Sequence, residues 1–179
     1  MTPTTRQIIL VSGAPGVGKT TIAQPLAAML GFALLSKDTI KEALFDALGG
    51  TAGDLAFSRK IGGAAMETLW ALAAHCPHVV LEANFRPKSA YERAKIAALS
   101  GQIVEVHCWC PPEEVARRFA QRAATTRHHP AHVLKELTPD MLAEYDRPVG
   151  IGSVLAVDTS APVDIEALAR RVRMAFTAT

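Results

Sequence analysis

The chain has 179 residues, a formal charge of +2 and 49% hydrophobic side chains, enough for one domain with a sizeable core and too balanced in charge for a general duplex-binding surface. Its start, MTPTTRQ, is polar, and no apolar run approaches the roughly 18 residues of a membrane span, so a cytoplasmic protein with no membrane partner is expected. Cys76, Cys108 and Cys110 lack the spacing of zinc or redox pairs and are read as buried thiols.

RQIILVS predicts a first strand over about residues 6–12. It runs straight into VSGAPGVGKTT, whose glycines and proline cannot continue a strand. A glycine-rich turn between strand and helix aims successive backbone N–H groups at one point, and the helix start adds partial positive charge there. The spacing of Gly13, Gly18, Lys19 and Thr20 therefore points to a bound triphosphate. Gly13, Ala14, Pro15, Gly16, Val17, Gly18, Lys19, Thr20 and Thr21 form the cradle, Lys19 reaching the β and γ phosphates and Thr20 a bridging Mg²⁺. No Asn-Lys-x-Asp guanine reader, no Leu-Ser-Gly-Gly-Gln signature and no room for a helical lid domain is present, which favours a small ATP-dependent kinase.

The first helix should run to about Leu30 and stop at Gly31, before a strand at about 32–35. KDTIKEALFDAL then predicts a second helix ending at Gly49 and Gly50. Asp38 and Lys41, three apart, share a face expected to look at the γ phosphate. Asp38 is read either as the base for an attacking hydroxyl or as an acid that charges the helix start, and Lys41 as a phosphate-steering group. A third helix, DLAFSRKIGGAAMETLWALAAH, ends before Pro77. Phe45, Leu48, Phe57 and Arg59 on these two helices are expected to build an acceptor pocket.

HVVLEANFRP places a strand at about 78–83 and Glu82 at its end, where an acid holds Mg²⁺ through water. Asn84 and Arg86 follow in the edge loop as acceptor contacts, with a solvated loop as the alternative for Arg86. Whether Asp38 or Glu82 is the catalytic base stays open. PKSAYERAKIAALS predicts a fourth helix, 102–109 a fourth strand, and PPEEVARRFAQRAA a fifth helix with prolines and acids suited to its start. Arg118, Arg122 and Arg127 are candidates for pairing phosphates or acceptor, while Arg117 and Arg118 equally suit a solvated face. The aperiodic TTRHHPAH reads as part of a mobile lid over about 118–135; Pro130 breaks any helical spacing of His128, His129 and His132, so no metal is assigned there. A short helix at TPDMLAEYD, a strand at about 153–157 and a terminal helix, DIEALARRVRMAF, complete the chain. The loop VDTSAP, with Thr159, is placed against adenine or read as an ordinary strand-to-helix turn.

GAPGVGKTT, SKDTIKEAL, LEANFRP, CPPEEVARRFAQR with RHHPAH, and VDTS together resemble the small phosphate-loop kinases that include the 5′-hydroxyl polynucleotide kinase domain, chloramphenicol phosphotransferase and the zeta-toxin group. The resemblance implies an α/β phosphate-loop NTPase fold over residues 1–179, with a five-stranded parallel sheet of order 2-3-1-4-5 between helices. It implies ATP and Mg²⁺, Asp38 as general base with Lys19 and Arg122 at the transferring group, and no obligate protein partner. The acceptor implied is a small-molecule hydroxyl or a nucleic-acid 5′ end. Polynucleotide kinases carry arginine where Lys41 stands, which weighs against nucleic acid. A nucleotide-dependent ATPase or switch without an acceptor is the rival reading.

Overall fold

The computed structural model describes residues 5–125 and 128–178. Strand β1 (Gln7–Ser12) is buried from Ile8 onward, as expected of a strand with helices on both faces. It forms the centre of a five-stranded parallel sheet of order β2-β3-β1-β4-β5, with β2 (Ala33–Ser36), β3 (His78–Glu82), β4 (Gln102–Trp109) and β5 (Ser153–Asp158). Register brings Val11 beside Glu82 and Ser12 beside His107, so the carboxyl ends of three strands lie at one level.

Two apolar layers clothe the sheet. Ile9, Val11, Val80 and Val106 pack with Ile22 and Leu26 of α1 (Lys19–Leu30) and with Leu168 and Val172 of α7 (Ile165–Thr177). On the other face, Ile8, Leu10, Val79 and Leu81 meet Leu69 and Trp70 of α3 (Leu55–Ala73) and Ile96 of α4 (Ala90–Ala97). α2 (Lys37–Ala47) lies on α3; α5 (Pro112–Ala123) and the single turn α6 (Pro139–Ala143) complete the elements. Among the described residues no helix is long and apolar enough to cross a membrane.

The fourth helix is shorter than its sequence pattern suggests. The turn from Arg86 to Ser89 closes on a backbone bond of 3.1 Å, and the Ser89 hydroxyl then caps α4 by accepting from Glu92 N at 3.2 Å, so Pro87 stays outside. Pro25 sits inside α1 on its exposed side, where the carbonyl it cannot bond is open to water.

Glu105 in the middle of β4 is fully buried. It accepts from the Ser12 hydroxyl at 2.5 Å and from the backbone N–H groups of Val149 and Gly150 at 2.9 and 2.8 Å. These bonds satisfy the carboxylate and pin the chain that enters β5.

Candidate active site

The phosphate loop leaves β1 with positive φ at Gly13 (129°), Gly16 (85°) and Gly18 (97°). Two of the three also lack room for a side chain. A Cβ on Gly13 would stand 2.3 Å from the Cys108 carbonyl oxygen, and one on Gly16 would press on Phe119 and Val115 of α5 at 3.1 Å. Gly18 caps α1 in the left-handed region, with no side-chain cap bond and no acid in the first turn. The first N–H groups of α1 are thus left to an anion, which fits a phosphate.

Lys19 is buried, and its ammonium donates to the carbonyls of Gly13 at 3.0 Å and Ala14 at 2.8 Å. Burial lowers its pKa to about 8 against the pull of Glu82 and Asp38, with Arg122 adding to the lowering. A polyanion laid on this amine restores its affinity for a proton. Affinity for Mg²⁺-ATP should therefore fall by about tenfold per pH unit once the pH exceeds about 8, because the free protein must then take up a proton to bind. Calorimetric titrations between pH 7 and 9.5 check this; a flat profile would remove Lys19 from the phosphates.

The cleft beside the loop is lined by Lys19, Thr20, Asp38, Glu82, Asn84 and Arg122, with Pro15, Gly16, Gly18, Thr21 and Arg118 completing it. Thr20 donates its hydroxyl to Glu82 Oε1 at 3.0 Å, and Ser36 donates to Oε2 at 2.5 Å. Glu82, almost fully buried, is thereby fixed at the end of β3 next to the threonine. A hydroxyl and a carboxylate so placed beside a phosphate cradle fit a Mg²⁺ ion. Ser36 and Ser12 are contributors that the sequence reading passed over; a polar residue ending an apolar strand is the signal both carried.

Asp38 opens α2 and is 39% exposed. Burial raises its pKa, but Lys37 at 3.0 Å, then His132 and Lys19, outweigh this and hold it at about 2. It is ionised at neutral pH, at the mouth of the cleft.

The packing gives several of the residues singled out in the sequence partners of their own. Lys41 does not line the cleft: its ammonium donates to the Ser58 hydroxyl on α3 at 2.8 Å, and Ser58 donates to the Ala131 carbonyl at 2.7 Å. A lysine on the face of α2 that packs on α3 is drawn into that contact, where burial lowers its pKa to about 8. Arg86 turns outward to Glu144, at 3.4 Å, and to Tyr145, linking the β3 loop to the α6 segment. Thr159 is buried, and its hydroxyl donates to the Val17 carbonyl at 2.7 Å and the Trp109 carbonyl at 3.1 Å, so it braces the phosphate loop. Arg118 reaches the cleft with its guanidinium held by Glu114 at 2.6 Å and by the Thr159 carbonyl at 3.0 Å. Arg122 lines the cleft from above Phe119, 5.6 Å from the ring centre. Arg117 bonds Glu114 and Gln121 on the solvated face. Arg127 lies outside the described residues.

Residues 128–132 form an aperiodic loop that packs against α2 and α3. Ala131 is fully buried with Phe45 and Ile61, while His132 meets Glu42 at 2.8 Å and His129 meets Asp46 at 3.3 Å. Phe45 and Phe57 pack edge to face beneath it and join Ile61 and Ala131 in a small core, while Leu48 is exposed and stands outside that core.

Comparisons with known proteins agree with this fold. The profile of the AAA domain family matches residues 8–148. A protein of Chloroflexus aurantiacus J-10-fl, provisionally described as a kinase, is 30% identical, with a TM-score of 0.83 over 95% of this chain and 98% of that one. The fold is shared with the shikimate kinase of Acinetobacter baumannii, solved with shikimate, at 22% identity and a TM-score of 0.59 over 98% and 94% of the two chains. It is also shared with the Mycobacterium tuberculosis APS kinase, solved with AMPPNP and APS, at 20% identity and a TM-score of 0.59 over 98% and 99%. A search of curated proteins gave no match.

Proposed function

Since the chain belongs to the AAA domain family through residues 8–148, we propose that it is an ATP- and Mg²⁺-dependent kinase that transfers the γ-phosphoryl group to a hydroxyl of a small molecule. The observation that carries this reading is the convergence in one cleft of a phosphate cradle, a buried lysine, a Thr20–Glu82 pair and an ionised Asp38. The small-molecule kinases among its structural neighbours support the same class.

The chain's own residues divide the work. Backbone N–H groups of the loop and Lys19 hold the β and γ phosphates, and Arg122 meets charge that develops on the transferring group. Bound Mg²⁺ would neutralise the same phosphates, held by Thr20 directly and by Glu82 through water. Asp38 accepts the proton of the attacking hydroxyl. A switch that only hydrolyses ATP has less support, because it has no need of a second ionised carboxylate, Asp38, in the cleft besides Glu82.

The test is transfer of labelled phosphate from ATP to a panel of nucleosides, 5′-hydroxyl oligonucleotides, sugars and uncharged alcohols. Acceptor-dependent labelling supports the kinase; labelled free phosphate at the same rate with or without every acceptor supports the switch. In the same assay Glu82→Gln should raise the Mg²⁺ needed for half-maximal rate by about 10-fold or more, since the amide that replaces the carboxylate keeps the volume and lacks the charge. An unchanged Mg²⁺ requirement would leave Glu82 only its bonds to Thr20 and Ser36.

A further inference from the structure

A cavity of about 620 Å³ opens between the end of β4, the start of α5 and α6. That volume suits a small organic ligand. It begins at the phosphate loop: Ala14 and Val17 form part of its wall, while the alternating neighbours Pro15, Gly16 and Gly18 line the phosphate cleft. Trp109, Cys110, Val115 and Ala116 form a second wall, and Leu137 and Leu142 of the α6 segment close it. Trp109, the last residue of β4, leaves 46% of its surface open.

Polar groups in this cavity are few. His107 lines it and is held from behind by Ser12 at 2.9 Å. Because the Ser12 hydroxyl donates to Glu105, the network assigns the ring proton to Nδ1, which donates to Ser12, and leaves Nε2 as an acceptor. Burial, aided by Lys19 and opposed by Glu105, lowers the imidazole pKa and keeps the ring neutral. Glu113, Tyr145 and Asp146 are the other polar residues of the lining, which contains neither lysine nor arginine. Asp146 already holds Lys88 at 3.0 Å.

We infer that this cavity holds the apolar body of the phosphoryl acceptor, an uncharged aromatic or aliphatic alcohol that directs its hydroxyl past Ala14 toward the phosphate cleft. The inference rests on the kinase reading and deepens it. Two observations carry it: the cavity adjoins the phosphate loop, and its lining is mostly apolar with no lysine or arginine to offset the charge of an anionic body. In the transfer, the acceptor oxygen bonds to the γ phosphorus. The bond from that phosphorus to the β–γ bridging oxygen breaks, its electron pair leaves with ADP, and the hydroxyl proton passes to Asp38.

The probes are 3-phenylpropan-1-ol and its anionic counterpart 3-phenylpropanoate. Trp109 lines the cavity and the second tryptophan, Trp70, is buried against Phe85, so fluorescence reports occupancy. With Mg²⁺-ATP analogue present, the alcohol should give a saturable change and the carboxylate should bind on the order of tenfold more weakly. The alcohol should also increase ADP release from Mg²⁺-ATP. Ala116→Phe, or Leu142→Phe on the α6 side, should weaken the alcohol's response on the order of tenfold while the thermal shift with Mg²⁺-ATP persists, which shows that the variants fold. Three results overturn the inference: equal binding of the carboxylate, no saturable response to the alcohol, or saturable binding without alcohol-dependent ADP. If the alcohol is inert while a sugar or nucleoside of the wider panel is labelled, the cavity assignment falls and the kinase stands. If Mg²⁺-ATP binds and nothing in either set is labelled, both fall.

Discussion

Asp38→Asn should lower phosphoryl transfer by about 10²–10⁴-fold while leaving Mg²⁺-ATP affinity within a few-fold, the expected cost of losing a general base. The substitution keeps the volume and removes the charge that Lys37 and His132 hold in place at the mouth of the cleft. A carboxyl whose pKa lies at about 2 is a weak base in the empty protein. Lys19, one of the charges that lower it, turns to the phosphates when nucleotide binds, and the γ phosphate brings negative charge nearby; both changes raise the basicity of Asp38 when it is needed. The stability cost is small, about 0.3–1 kcal/mol for an acid lost from the first turn of α2. Single-turnover rates at saturating Mg²⁺-ATP, with a parallel titration of nucleotide affinity, decide the matter. Near-normal transfer would reduce Asp38 to a charge at a helix start and leave the cleft without its proton acceptor.

Lys19→Ala should remove most of the stabilisation that Mg²⁺-ATP gives the wild type. At nucleotide one hundred times above its dissociation constant, the wild type gains about 2.7 kcal/mol. For a chain of this length that is a rise in Tm of roughly 5–11 °C. A variant whose affinity is a hundredfold weaker gains about 0.4 kcal/mol and little more than 1 °C under the same conditions. Melting without nucleotide is the control, because it isolates what Lys19 contributes through its bonds to the Gly13 and Ala14 carbonyls and its attraction to Glu82 and Asp38. The contrast between the two melting curves separates a phosphate clamp from a structural lysine. An equal shift in both proteins would contradict the function proposed for the loop.

The parts of the protein that were legible in the sequence are those in which one short stretch carries both the fold and its chemistry. The glycine spacing after RQIILVS specifies a strand, a turn that accepts positive φ and a helix start, and these three together form the phosphate cradle. The strand and helix order followed from apolar runs bounded by glycine and proline, and the sheet order from resemblance. Glu82 was legible as an acid at a strand end, though its bonds to Thr20 and Ser36 were not.

What the sequence could not tell is which of two plausible neighbours each long polar side chain would choose. Lys41 is drawn to Ser58 because α2 packs on α3, and Arg86 to Glu144 because a segment almost sixty residues later folds back beside β3. Thr159 is spent on Val17 because β5 ends against the phosphate loop. The buried bonds of Glu105 to Ser12 and to the turn at Val149 likewise join distant stretches, and the apolar cavity exists only where β4, α5 and the α6 segment meet. The sequence by itself determined the cradle, since backbone conformation and helix start are set by residues a few positions apart. The tertiary structure alone decided where Lys41, Arg86 and Thr159 are held, because burial and charge pairing there depend on elements brought together across the sheet, and a side chain's local periodicity holds no record of which partner will cover it.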